Sequence, residues 1–208
     1  MLGFMGCPQS VVYPQVTENQ DSAINGSAVE ATEQGYNPIP EIIIPLVVKV
    51  SEIRLVYEII DHGIHNVLNE KPVSLTYKIG TMMETPRACL GADRLAPAVE
   101  FMSFGTNDLT QMTYGFSRDD AGRFIPQYLE RKLIESDPFV SLDQRAVGRL
   151  MEMAVSESRT RKKGIKYGIC GEHGGDPRSV RFCHDLGLDY VSCSPYRVPV
   201  ARIAAAQA

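Results

Sequence analysis

Short apolar runs recur along this chain at Glu41 to Val48, Ser74 to Met83, Phe101 to Phe104, Ile165 to Cys170 and Tyr190 to Ser194, with helical stretches between them. The runs are continuously apolar rather than alternating, and no Asn-Gly hairpin turn joins one to the next. Strands of that kind are buried on both faces, and strands alternating with helices build a parallel α/β sheet. This pattern narrows the fold more than any other feature of the sequence.

EIIIPLVV (Glu41 to Val48) is β-branched and carries Pro45 near its end, which predicts a strand buried on both faces. Ser51 to Leu68 places Ile53, Val56, Tyr57, Ile60, Ile64 and Leu68 at spacings of three and four, predicting a helix with one apolar stripe. Asp143 to Lys163 reads as the longest helix, capped by Asp143 and closing in the basic run Arg159 to Lys163. Shorter helices are predicted within Arg87 to Val99, over Pro177 to Leu186 and in the tail from Val198. The first fifteen residues, with Pro8 and Pro14, read as a strand end and loop, and Thr17 to Gly35 as a surface helix.

The polar residues fall at one place in each unit. Glu84 follows the second run, Asn107 and Asp108 the third, Cys170, Glu172 and His173 the fourth, and Ser192 and Ser194 the fifth. In a (β/α)8 barrel the carboxyl ends of the strands form the rim where chemistry takes place. Five or six strands are too few to close such a barrel, so the expectation is a (β/α)8 TIM barrel incomplete at its N-terminal side.

The composition bounds the function classes. With 208 residues, 44% of them hydrophobic, the chain can bury a core and makes one domain over residues 1–208. A net charge of -4 gives no electrostatic case for nucleic acid, and no apolar run is long enough to span a bilayer. The five cysteines form no CxxC pair, which points to a reducing, intracellular compartment without resolving cytoplasm from organelle.

FMSFGTNDLTQMTYGFSRDD (Phe101 to Asp120) moves from an apolar strand through Gly105 into a polar cluster. A carboxylate at the mouth of a buried strand needs a partner, and Glu84 and Asp108 on consecutive strands are placed to share a magnesium ion. The alternatives are solvated rim acids, and for Asn107 and Asp108 a helix N-cap. Cys170, followed by glycines, is either a buried thiol or an acid/base group beside an open backbone. Arg118 either reaches back to an anionic ligand or pairs with Asp119 or Asp120. His173 is a ligand, a phosphate contact or a hydrogen-bonded structural residue, and with no second histidine near it in sequence the structural role is favoured.

IGTMMETPRA (Ile79 to Ala88), the GTNDL stretch, ESDPF (Glu135 to Phe139), GICGEHGGDP (Gly168 to Pro177) and YVSCSPYRVPVARIAAAQA (Tyr190 to Ala208) together resemble the C-terminal phosphoenolpyruvate/pyruvate domain of the pyruvate, phosphate dikinase family. The resemblance covers nearly the whole chain. It implies a phosphotransferase domain that binds pyruvate or phosphoenolpyruvate with magnesium and passes a phosphoryl group between a phosphohistidine, on a separate domain, and pyruvate enolate. On the matching motifs, Glu84 and Asp108 would hold the metal and, with Gly105, Thr106 and Asn107, line the substrate. Cys170 would be the catalytic proton donor and acceptor at the methyl carbon.

The sequence also departs from the family. The ATP-binding and phosphohistidine domains are expected to be absent, and MLGFMGCPQS places Met5 and Pro8 where the family carries arginines. The competing expectations are a truncated, catalytically incomplete paralogue that only binds pyruvate-like ligands or magnesium, and a phosphoenolpyruvate synthase-like or other magnesium-enolate barrel enzyme. A homodimer through the barrel is expected from the family habit.

Overall fold

The computed structural model describes residues 3–71 and 73–208; Met1 and Leu2 of the apolar start lie outside the described residues. In chain order the elements are α1 (Cys7–Val12), α2 (Pro14–Glu33), β1 (Glu41–Ile44), α3 (Val50–Glu70), β2 (Lys78–Met82), α4 (Pro86–Leu90), α5 (Ala92–Leu95) and β3 (Phe101–Gly105). They continue with α6 (Thr106–Tyr114), α7 (Arg118–Ala121), α8 (Ile125–Glu130), α9 (Arg149–Arg161), β4 (Lys166–Cys170), α10 (Pro177–Leu186), β5 (Tyr190–Val191) and α11 (Val198–Gln207).

The strands pair in sequence order, β1-β2-β3-β4-β5, and every pairing is parallel. Among the described residues the sheet is open. One face, carrying Ile44, Ile79, Met83, Met102, Phe104, Tyr167 and Ile169, belongs to the main core with Ile53, Val56, Ile60 and Ile64 of α3 and Met151 and Val155 of α9. The period of two along each strand sends Gly80, Met82, Phe101, Ser103, Gly105, Gly168, Cys170 and Tyr190 to the other face. There the Phe101 ring lies 2.6 Å from where Gly80 would carry a Cβ, and the Tyr190 ring fills the Cβ position of Gly168.

That second face is concave. Glu41 of β1 and Lys166 of β4 form an ion pair of 2.8 Å across the two strands between them. On a flat sheet their backbones would stand three strand spacings apart and two residues out of register, about 16 Å in all, beyond the roughly 14 Å that two extended side chains and one hydrogen bond span. The sheet therefore curls and brings side chains from distant strands toward one axis.

Several expected elements change in extent. The N-terminal loop is instead helical, because Pro8 and Pro14 each sit in the first turn of a helix, where a missing N–H costs nothing. β1 stops at Ile44, before Pro45, and with β2 as its one partner it has an exposed Glu41 and half-buried Ile42 and Ile43 rather than two buried faces. β2 begins only at Lys78. Asp143 does cap its helix, accepting from the N–H groups of Arg145 and Ala146, but the first turn is π-helical over Gln144–Gly148.

Asp21 of α2 is a polar intrusion into the contact with α3. It is 2% exposed, its Oδ1 accepts from the Asn25 amide at 2.6 Å, and its Oδ2 crowds the place a Cβ would take at Gly63. Burial pushes its carboxyl up to about 6, against the pull of the Asn25 amide. A folded-state pKa above the unfolded one means stability is full below about pH 4 and is lost as pH rises through about 6. Asp21→Asn is expected to raise stability above pH 6 by on the order of 1 to 2 kcal/mol and to flatten that loss, as read from denaturant midpoints at pH 5 and pH 7.5.

Candidate active site

The carboxyl end of β2 delivers Glu84, and the structure builds a strained turn to receive it. Leu46, after Pro45, adopts a left-handed conformation with φ 54, and its N–H donates to Glu84 Oε1 at 2.7 Å. A non-glycine residue in that region costs on the order of 1 to 3 kcal/mol and is held by its surroundings. Here those surroundings are Gly6, itself at φ 61, whose Cβ position lies 3.1 Å from the Leu46 Cβ, and the Pro45 carbonyl, bonded to the Cys7 N–H at 2.9 Å. On the other side a methyl at Gly105 would lie 2.6 Å from Glu84 Oε2, so glycine is what lets the carboxylate lean against β3.

β3 turns directly into α6, and this settles the alternative reading of Asn107 and Asp108. Gly105 is the N-cap, and no side chain caps the helix. Asn107 accepts instead from the Glu172 N–H at 3.3 Å, tying α6 to the loop after β4, and Asp108 faces the same cavity as Glu84. The first-turn N–H groups of α6 are left without a capping side chain, at the positive end of the helix dipole.

Glu84 is 6% exposed and its carboxyl is raised to about 7, chiefly by burial, with the Leu46 N–H opposing and the charge of Asp108 adding. The two carboxylates therefore feel each other. Cys170 feels both: burial raises its thiol above the ordinary value, the Ser103 hydroxyl works against this, and Glu84 and then Asp108 add to the rise. The thiol stays protonated at neutral pH, and its sulfur lies 3.5 Å from that of Met82. Burial also holds Cys7, Cys89 and Cys183 near 12, with no carboxylate pair beside them, so these are packing residues.

A cavity of ≈ 380 Å³ opens at this rim, lined by Met5, Leu46, Glu84, Asn107, Asp108 and Arg118 among others. Gly105, Thr106 and Cys170 border the carboxylates without lining it. Arg118 pairs neither with Asp119 nor with Asp120; its guanidinium stands 3.8 Å from Glu172, both side chains being nearly half exposed, so the pair is weak and open to exchange for a bound anion. A larger cavity of ≈ 690 Å³ beside Tyr57, Arg94 and Glu100 carries none of the rim residues.

The donor set bears on magnesium directly. No group of three or more His, Cys, Asp or Glu side chains suited to a metal exists among the described residues, so a closed all-protein cage is absent. Two carboxylates opening on one cavity are the usual protein share of a magnesium site, the rest being water and substrate oxygens. The residues present fit that ion. Sequence reasoning did not single out Ser103 or Tyr190 as members of the site; the signal available was the period of two that puts both on the concave face with Cys170.

A family model described as PEP-utilising enzyme, PEP-binding domain, matches residues 1–208. Pyruvate, phosphate dikinase of Clostridium symbiosum is 54% identical over 209 residues, covering 100% of this chain and 24% of that protein. The chloroplastic pyruvate, phosphate dikinase of Mesembryanthemum crystallinum is 52% identical over 207 residues, 22% of its length. The chain thus spans about a quarter of the relatives it matches. Among solved structures, a pyruvate kinase from Cryptosporidium parvum aligns with a TM-score of 0.54 at 12% identity, over 87% of this chain and 34% of that one. A citrate lyase from Burkholderia xenovorans aligns at 0.51 and 18% identity, over 79% and 48%. At those identities the structural likeness is one of fold.

Proposed function

This chain belongs to the PEP-utilising enzymes, whose PEP-binding domain its residues match throughout, and from that premise we propose that its rim binds pyruvate or phosphoenolpyruvate with magnesium for enolate chemistry of the pyruvate, phosphate dikinase type. The observation that carries this reading is the grouping of a buried carboxylate, a second carboxylate and a protonated thiol at the uncapped start of α6. Five parallel strands in sequence order, curled so that Glu41 meets Lys166, fit an arc of a (β/α)8 barrel whose remaining strands would come from sequence outside this chain.

Glu84 and Asp108 would hold the ion, which when bound supplies positive charge to the substrate's carboxylate and to the oxygen that becomes negative on enolisation. The N–H groups of Thr106, Asn107 and Asp108, in the uncapped first turn of α6, would receive the substrate carboxylate. Arg118, released from Glu172, adds a guanidinium at the mouth of the cavity. Cys170 gives its thiol proton to the methylene carbon of the enolate as pyruvate forms and takes it back in the reverse direction. The phosphoryl group would come from, or return to, a phosphohistidine on another domain of a longer protein, and a homodimer remains part of the proposal. Met5 in the cavity wall favours a second reading, a domain that retains pyruvate and magnesium binding but grips phosphate poorly.

A pH profile tests the pairing of metal and carboxylate. Magnesium would be held by the ionised Glu84, whose carboxyl burial raises to about 7, so protons would compete with it below that value. Magnesium-dependent oxalate affinity is expected to be level above pH 8 and to fall about tenfold by pH 6. A flat profile by calorimetry would count against Glu84 as a ligand.

A further inference from the structure

His173 lies fully buried in the 3-10 turn Glu172–Gly175 after β4, and two partners hold its ring from opposite sides. Nε2 is 2.8 Å from the carbonyl oxygen of Pro138 in the ESDPF loop, and Nδ1 is 2.7 Å from Thr106 Oγ1 at the start of α6. A carbonyl only accepts, so Nε2 carries the proton. Burial keeps the ring neutral, and Nδ1 then accepts from the Thr106 hydroxyl. That hydroxyl also stands 3.2 Å from the carbonyl oxygen of Cys170, the other acceptor open to its one proton, across the gap between α6 and the end of β4.

Three segments meet on this one imidazole: the loop holding Pro138, the turn that presents Asn107 and Asp108, and the strand end that presents Cys170. None of the chemical steps proposed above uses it. We propose that His173 is a positioning residue for the enolate chemistry, a role resting on the function proposed above: bonded to Thr106 and anchored on Pro138, it fixes the start of α6 against the end of β4 and so sets the Cys170 thiol relative to Glu84 and Asp108.

The two nitrogens are separated by two substitutions. In His173→Gln the amide reaches the place of Nε2 and keeps the Pro138 bond while losing Thr106. In His173→Asn the amide oxygen stands near Nδ1 and keeps Thr106 while losing Pro138. The readouts are magnesium-dependent exchange of the pyruvate methyl protons with deuterium, followed by NMR, and the rate of Cys170 alkylation by iodoacetamide, mapped by peptide mass spectrometry. His173→Gln is expected to lower the exchange rate at saturating pyruvate about tenfold at unchanged KM, whereas His173→Asn stays within about threefold. Thr106→Val reproduces the Gln effect, does not add to it in the double variant, and carries the test by itself where the Gln variant does not fold. Cys170 alkylation is expected to rise roughly fivefold in His173→Gln and Thr106→Val alone, as the strand end loosens. Equal behaviour of Gln and Asn variants in both readouts, or changes that follow thermal stability alone, would overturn the role. A wild-type chain that exchanges no methyl protons would instead refute the proposed function, and the alkylation rates would still decide for or against His173.

Discussion

Replacing Cys170 with alanine is expected to slow magnesium-dependent exchange of the pyruvate methyl protons by about a hundredfold to ten thousandfold, the usual contribution of a positioned acid/base group. Oxalate binding in the presence of magnesium should change by no more than about threefold, because in the proposed role the thiol would meet the reacting carbon rather than the chelating oxygens. The reasoning runs from three observations. Cys170 ends a strand whose neighbours put Ser103 and Gly105 on the same concave face, it is half buried, and that burial, with the two rim carboxylates adding, holds its proton on. A protonated thiol donates to a carbanion, and the thiolate formed is the base for the return step. The partial reaction needs no phosphoryl donor, so the exchange is measured on this chain by itself. Exchange that survives in Cys170→Ala at the wild-type rate would assign the proton to another group.

Met5→Arg carries the second large effect. Met5 lines the cavity with Glu84, Asp108 and Arg118, at a position where the sequence resemblance leads one to expect arginine. A thioether offers a phosphate nothing but desolvation, whereas a guanidinium offers two parallel donors and a charge. The substitution is expected to tighten phosphoenolpyruvate binding by about ten- to a hundredfold and oxalate binding by much less, since only the former brings a phosphate to that wall. Equal gains for both ligands would mean that the new charge acts through the general field of the cavity. No gain for phosphoenolpyruvate would place its phosphate elsewhere on the rim.

Much of this rim was legible in the sequence because the fold obeys a local rule: a continuous apolar run makes a parallel strand, and the residues just past it reach the carboxyl edge. That rule placed Glu84, Asp108 and Cys170 together although they are spread over 87 positions of the chain. What it missed depends on curvature and on backbone angles that no residue pattern encodes. The left-handed Leu46, which aims an N–H at Glu84, arises where Pro45 ends β1 against Gly6, a contact between segments about forty residues apart. The Thr106–His173–Pro138 link likewise joins residues that are near only after the loop folds back. The start of the chain reads as strand end and loop because two prolines look like punctuation, while at the first turn of a helix they are tolerated; the helix expected over Thr17 to Gly35 is present as α2. β1 was expected to be buried on both faces because its side chains suit that; its neighbours in this sheet do not cover it.

Isothermal titration of the chain with oxalate, with and without magnesium and beside Glu84→Ala and Asp108→Ala, tests the central claim most directly. The account predicts binding that requires magnesium and that weakens by at least about a hundredfold in each variant, in keeping with the several kcal/mol that a held metal contributes to such a charge. Oxalate that binds equally well without magnesium, or with both carboxylates removed, would contradict the metal half of the site and with it the function proposed here.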